Sequence, residues 1–360
     1  MEWKEDVLGN VLEVKYGKDH KKLADGQYPV YGSGGLMRYV DSKLYDGPSI
    51  LIPRKGTLNN IMFVESPFWT VDTMFWSIIN TDKVDPKFLF YSICKRDFAS
   101  MNVGSAVPSM TVNILNDIQI SYPKNIEDQR RIASILSSLD RKIELNNKIN
   151  ADLEEMAQAI FKNWFVDFEP FKDGKFVDSE LGMIPEGWKV GRLGELCDFK
   201  RGKNLLTKNA IDEGVPVVAG GLEPSCYHNV ANTGAPVITV SGSGANAGFM
   251  RMYHVPVWAS DCSFIDISCE NFYFVYCFLK VNSKLLKHAQ TGAVQPHVKP
   301  SDIHDFELVI PDKESIYDFQ DKVKPFFDKI ASIQKENSRL SLLRDTLLPR
   351  LMSGEIEIPE

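Results

Sequence analysis

Three kinds of loop in this 360-residue chain gather the residue types that contact a polyanion and read base edges. The first is basic and lies beside glycine. Lys15, Lys18, Lys21 and Lys22 surround Gly17, and Lys200, Arg201, Lys203 and Lys208 surround Gly202. Cations in such turns reach a phosphate backbone while neighbouring amides add donors. The second spans residues 53–60, with Arg54, Lys55, Asn59 and Asn60, and is matched by residues 241–246, with Ser241, Ser243 and Asn246. Arginine can bond guanine through two donors, asparagine can do the same for adenine, and serine suits several acceptors. The third spans residues 104–109, with Ser105, and returns at 292–299 with Gln295, His297 and Lys299. Taken singly, each basic cluster reads sooner as ordinary surface, and the third loop is equally explained as a turn feeding a strand. Recurrence in one register brings binding level with the surface reading.

Catalytic constellations are missing. The sequence has no G-x-x-x-x-G-K-[ST] phosphate loop, no G-x-S-x-G elbow and no Pro-Pro pair of the kind an amino-directed methyltransferase loop needs. Gly242-Ser243-Gly244-Ala245-Asn246-Ala247-Gly248 follows a strand-like run, but its glycine spacing is wrong for a dinucleotide loop. A glycine turn whose amides approach an anion fits better. The histidines at 20, 228, 254, 288, 297 and 304 show no metal spacing, and no C-x-x-C pair exists among the six cysteines. We therefore expect no catalytic residue, cofactor or metal, and reduced core cysteines. Glu154-Glu155 reads as solvated surface. A net charge of −7 excludes binding by bulk positive charge, though not local basic patches. No apolar run approaches membrane length and the N-terminus is charged from the start, so a cytoplasmic protein is expected.

The elements that must position these loops are duplicated. Residues 1–168 and 188–352 follow one plan, displaced by 185–189 positions. Leu8-Gly9-Asn10-Val11-Leu12-Glu13-Val14-Lys15-Tyr16-Gly17-Lys18 returns as Leu193-Gly194-Glu195-Leu196-Cys197-Asp198-Phe199-Lys200-Arg201-Gly202-Lys203. Pro29-Val30 and a Gly-rich loop return as Pro216-Val217 and Gly220-Gly221, and the block at 68–75 returns at 257–264. Gly104, Pro108, Asp117 and Pro123 return 188 positions later. In each copy a globular part of short β-rich runs, punctuated by Gly, Pro, Asn and Asp, precedes a long helical part. Amphipathic helices are expected near 86–100 and 271–287. The fold class is α+β with α/β-like character: two pseudo-symmetric globular domains separated by a long two-helix coiled coil. The expected division is 1–125, a first domain; 126–168, a first helix; 169–187, a linker; 188–312, a second domain; 313–353, a second helix; and 354–360, a tail.

The helical parts keep a seven-residue rhythm. Positions 132, 136, 139, 143, 146, 150, 153, 157, 160 and 164 alternate steps of four and three, and their counterparts run from Phe319 to Leu351. A sustained 3.5-residue repeat means a coiled coil, since only that period keeps one seam facing a partner helix. Asn150 and Asn337 fall on equivalent seam positions, where a polar residue fixes register. The simplest path pairs the two helices antiparallel; the alternative packs each on its own domain. Pro325 disturbs the first turns of this second helix, which either starts at 313 or begins at the proline, and Pro349 with Gly354 are expected to end it.

These residues resemble the specificity subunit of type I DNA restriction–modification systems. The likeness is carried by Asp128-Gln129-Arg130-Arg131-Ile132-Ala133-Ser134-Ile135-Leu136-Ser137-Ser138-Leu139-Asp140, by Met156-Ala157-Gln158-Ala159-Ile160-Phe161-Lys162-Asn163-Trp164-Phe165-Val166-Asp167-Phe168, by Ile184-Pro185-Glu186-Gly187-Trp188, and by Leu347-Leu348-Pro349-Arg350-Leu351-Met352-Ser353-Gly354-Glu355-Ile356. It implies two target recognition domains joined by an antiparallel helical pair, each reading half of a split double-stranded DNA target. It also implies that modification (methyltransferase) subunits, two of them, and ATP-dependent restriction subunits supply the chemistry. Trp164, Phe165, Leu351 and Met352 are then candidates for docking modification subunits, with a closed intramolecular core as the competing reading. Two other classes stay open: an enzyme binding a nucleotide or S-adenosylmethionine by itself, and a coiled-coil scaffold that binds only protein.

Overall fold

The computed structural model describes residues 1–103, 108–290, 296–356 and 358. They form two compact units, Met1–Leu145 with Glu336–Glu360, and Asn146–Lys335. The first unit begins with β1 (Trp3–Val7), β2 (Leu12–Tyr16), β3 (Tyr28–Gly32), β4 (Gly35–Val40) and β5 (Ser49–Pro53). It continues through β6 (Met62–Val64), β7 (Trp69–Thr70), β8 (Met74–Ile79), α1 (Pro86–Ile93), α2 (Val112–Asn116), β9 (Gln119–Pro123) and the long helix α3 (Ile126–Phe165). A four-stranded sheet runs β2-β8-β5-β6, a three-stranded one β4-β3-β7, and β1 pairs with β9. Strand β5 is buried along its whole length. Its one polar side chain, Ser49, donates to the Ser77 carbonyl at 2.8 Å, and the Ser77 hydroxyl accepts from the Ile50 amide at 2.9 Å, so the buried polar groups are satisfied. Helix α1 starts where Asp85 accepts from the Phe88 amide and Pro86 takes the first turn.

After a connection holding β10 (Phe176–Val177) and β11 (Ile184–Pro185), the second unit repeats the plan. Its elements are β12 (Lys189–Arg192), β13 (Lys200–Arg201), β14 (Val215–Val218), β15 (Cys226–His228), β16 (Val237–Ser241), β17 (Met250–Tyr253), β18 (Trp258–Ala259) and β19 (Cys262–Asp266). Then come α4 (Phe272–Val281), α5 (Ser283–His288), α6 (Pro300–His304), β20 (Glu307–Ile310) and α7 (Lys313–Met352). The sheets run β13-β19-β16-β17, β15-β14-β18 and β12-β20, the same order as in the first unit. Helix α4 is not amphipathic as expected: all eight residues from Phe272 to Leu279 are buried. It is a core helix, with Phe274 against Phe161 and Phe165, and Tyr273 stacked on Phe327.

Helices α3 and α7 have forty residues each, and every one of the twenty seam positions is buried or half-buried. Within the first unit Ile132 and Leu136 share a core with Leu348 and Leu351. There Asp140 meets Arg344 at 2.6 Å and Lys142 meets Glu336 at 3.6 Å, so the pairing is antiparallel. Within the second, Ala157, Phe161 and Phe165 share a core with Phe319, Val323, Phe327 and Ile330. The alternative, each helix packed only on its own domain, therefore does not hold. Asn146 is buried, Asn150 and Asn337 are half-buried, and the Asn150 Oδ1 is enclosed without a hydrogen-bond donor.

Helix α7 starts at Lys313, so the alternative start at Pro325, twelve residues on, does not hold and that proline lies inside the helix. A proline there removes one backbone bond and crowds the carbonyl four residues back; burial of Phe319, Val323 and Phe327 around it outweighs that cost. Pro349 also lies within the helix. The end is made by Gly354, at φ +75°, with its amide donating to Leu351 and that of Ile356 to Arg350.

Candidate nucleic-acid interface

In the first unit the three loops meet at the start of β8. Tyr16 lies opposite Phe75, the Gly17 amide donates to the Met74 carbonyl at 3.0 Å, and that of Lys18 donates to Thr70 at 2.9 Å. The Trp69 indole closes this turn by donating to the Lys18 carbonyl at 2.9 Å. On the other side of β8 the Arg54 amide donates to Thr73 at 2.8 Å. The third loop is stitched to the second: Gly56 donates to Pro108, Met110 donates to Arg54, and Lys55 pairs with Ser109. Gly17 is obligatory, because a Cβ there would overlap the carbonyls of Thr70 and Val71.

The second unit copies this frame bond for bond. Arg201 lies opposite Ser263, Gly202 donates to Cys262, Lys203 donates to Ala259, and the Trp258 indole donates to the Lys203 carbonyl. Gly242 donates to Asp261, Gly244 to Pro296, Val298 to Gly242, and Ser243 pairs with His297. The register also refines the sequence match. Trp69 and Trp258 correspond 189 positions apart, but from Thr73 and Asp261 onward the displacement is 188, so the first unit carries one extra residue at Asp72.

A fourth loop, the β3–β4 hairpin turn, completes the rim. The Asn60 side-chain amide donates to the Ser33 carbonyl at 2.8 Å, and that of Asn246 donates to the Gly220 carbonyl at 3.3 Å. Its only sequence signal was the glycine cluster at 32–35 and 220–221. Each asparagine thus spends an amide donor on clamping the hairpin to the loop, which leaves it less to offer a base than its residue type suggests. Ser241 is buried and donates to the same Gly220 carbonyl at 3.3 Å. Asn59 is exposed but spans Asp97 and the Ala99 amide. The glycine turn at 242–248 is no anion nest either. It joins two antiparallel strands, and the amides of Gly242, Gly244, Ala247 and Gly248 all donate to protein carbonyls.

What the rim offers is positive charge. Lys18, Lys21, Lys22, Lys55, Lys200, Lys203, Lys208 and Lys299 are exposed, while Lys15 is half-buried and held by Glu13. Arg54 lies over the Tyr16 ring, its Cζ 5.7 Å from the centroid. Arg201 is paired with Asp261, which also accepts from the Ser243 hydroxyl. Arg201, Gly242, His297, Lys299, Pro300 and Ser301 line a hollow of about 440 Å³. Ser105 and Gln295 lie outside the described residues. Thiol chemistry has no support here, since burial pushes Cys94 up to about 11 and Cys262 up to about 12.

In each unit a tyrosine on a short helix ties the globular part to long helix α3. In the first unit the Tyr91 hydroxyl donates to Asp140 at 2.5 Å, and burial together with that carboxylate raises its pKa. In the second the Tyr276 hydroxyl donates to Glu154, which also meets Lys280 at 2.7 Å. Glu154 is thus a half-buried anchor and not the solvated residue expected; Glu155 is exposed. The candidate docking residues are likewise inside. Phe165 and Leu351 are core residues, and Trp164 and Met352 pack against those cores.

The sequence matches the model of the type I restriction modification DNA specificity domain over residues 1–155 and 185–341. The chain belongs to this family. Each match to the specificity domain takes in one copy of the frame above and part of the helix that follows it. The chain is 30% identical to the type I restriction enzyme MjaIX specificity subunit of Methanocaldococcus jannaschii, over 94% of this chain and 86% of that one. It is 27% identical to the type I restriction enzyme HindI specificity subunit of Haemophilus influenzae, over 82% and 83%. Its fold is similar to the crystal structure of a type I restriction–modification system S subunit from M. genitalium, with a TM-score of 0.63 and 18% identity, covering 99% of this chain and 97% of that one. Among the described residues, no helix is long and apolar enough to cross a membrane.

Proposed function

We propose that this chain is the DNA-recognition subunit of a type I restriction–modification complex, each unit reading one half of a bipartite double-stranded target. One observation carries the reading: the two units share a hydrogen-bonded frame around β8 and β19 but differ in the polar side chains at its rim. A kept frame with diverged tips suits the reading of two different short sequences. Modification subunits would supply adenine methylation and restriction subunits the ATP-dependent cleavage, so the chain itself is non-catalytic and needs no cofactor. Since Trp164, Phe165, Leu351 and Met352 face inward, docking falls to exposed helix residues such as Leu342, at 70% exposure, and Leu343, at 47%.

The test is methylation mapping of cells carrying the modification partners, with and without this chain. A split motif methylated only in its presence is the expected result, and replacing residues 1–125 by a related domain should alter one half only. No lost motif would overturn the reading. Retention of S-adenosylmethionine or a nucleotide by the purified chain in equilibrium dialysis would favour the enzyme alternative, and indifference among duplexes the protein scaffold.

A further inference from the structure

The two frames exchange an arginine across one strand. In the first unit the residue after β5 is Arg54 and the residue facing it across the start of β8 is Tyr16, whose ring also rests on Phe75 with centroids 5.1 Å apart. In the second the equivalent of Tyr16 is Arg201, since Tyr16 pairs with Phe75 and Arg201 with Ser263, 188 positions on. The equivalent of Arg54 is Gly242, since each donates its amide to the corresponding carbonyl, Thr73 in one unit and Asp261 in the other. A Cβ on Gly242 would overlap the Arg201 guanidinium at Nη1. The Arg201 side chain therefore lies over the place from which Arg54 sets out in the first unit. Each unit holds one guanidinium between the same two strand ends, supplied from opposite sides.

Both are held without being used up. Asp261, standing where the first unit has Thr73, takes one Nη2 donor of Arg201 and the Ser243 hydroxyl. Arginine has five donors, so the edge away from Asp261 keeps a pair to offer. Arg54 has no carboxylate partner among the described residues and is steadied by the Tyr16 ring instead. Held arginines differ in kind from the exposed lysines of the same loops: a fixed planar fork discriminates guanine, whereas a mobile ammonium contacts phosphate of any sequence.

We propose that Arg54 and Arg201 are specificity-determining residues, each bonding the edge of a guanine at the equivalent position of its half-target. This rests on the DNA-recognition reading above. The experiment is selection from randomised duplexes by the full chain assembled with its modification subunits. Arg54→Ala and Arg54→Lys should each reduce the preference for guanine about 10- to 100-fold at one position of one half, with the other half unchanged. Arg201→Ala and Arg201→Lys should do the same in the second half. The lysine variants keep charge and bulk, so they separate loss of the fork from loss of folding. Arg201→Tyr combined with Gly242→Arg rebuilds the first unit's arrangement and should restore guanine selection in the second half. Weaker binding to all sequences with an unchanged motif would reduce both arginines to phosphate contacts and overturn the inference, leaving DNA recognition intact. Failure of the unaltered chain to select any split motif would overturn the recognition reading itself.

Discussion

Asn60 and Asn246 show how residue type and residue role part company. Both stand in the loops richest in base-reading side chains, yet each spends its amide on a backbone carbonyl of the adjacent hairpin. A turn carbonyl left without a donor is costly, and flexible side chains nearby fill it: Asn60 at Ser33, and Asn246 together with Ser241 at Gly220. Asn60→Ala should cost about 1 kcal/mol, seen as a fall in melting temperature of about 2–4 °C. Affinity for one half-target should drop while the bases selected stay the same. A changed base preference in a duplex selection would show that Asn60 reads DNA directly.

At the scale of elements, the helices persist through residues that argue against them. Pro325 has no amide to give the Asp321 carbonyl, and it is exposed, so nothing about its own packing favours it. Neighbouring Val323 and Phe327 hold the helix because they are buried in the second unit's core. Pro325→Ala should therefore stabilise the protein by about 1–3 kcal/mol, measured as a higher denaturant midpoint with unchanged slope. No gain would mean that the helix already bends there to relieve the clash. The same dominance of tertiary burial explains α4, expected to be amphipathic but buried from Phe272 to Leu279.

At the scale of the whole molecule, each long helix contributes residues to both units, because the division falls between Leu145 and Asn146 on α3 and between Lys335 and Glu336 on α7. Under the proposed function, helix length then sets the spacer between half-targets. Inserting seven residues at both points preserves the seam and adds about 10 Å of helix. Methylation mapping should then show a spacer longer by about three base pairs, with both halves unaltered. An unchanged spacer would sever helix length from target geometry.

The sequence alone determined the duplication, the short-stranded domains, the two helices and their seam, since these depend on periodicities of two and three and a half residues and on repeated punctuation along the chain. Tertiary structure alone decided which polar side chains face outward. Asn60, Asn246, Ser241 and Glu154 are engaged by partners that loop closure or packing against α4 brings near. The exchanged arginines were invisible for the same reason: Tyr16 and Arg54 are separated by 38 positions in the chain, and only the pairing of β2 and β5 on either side of β8 makes them neighbours.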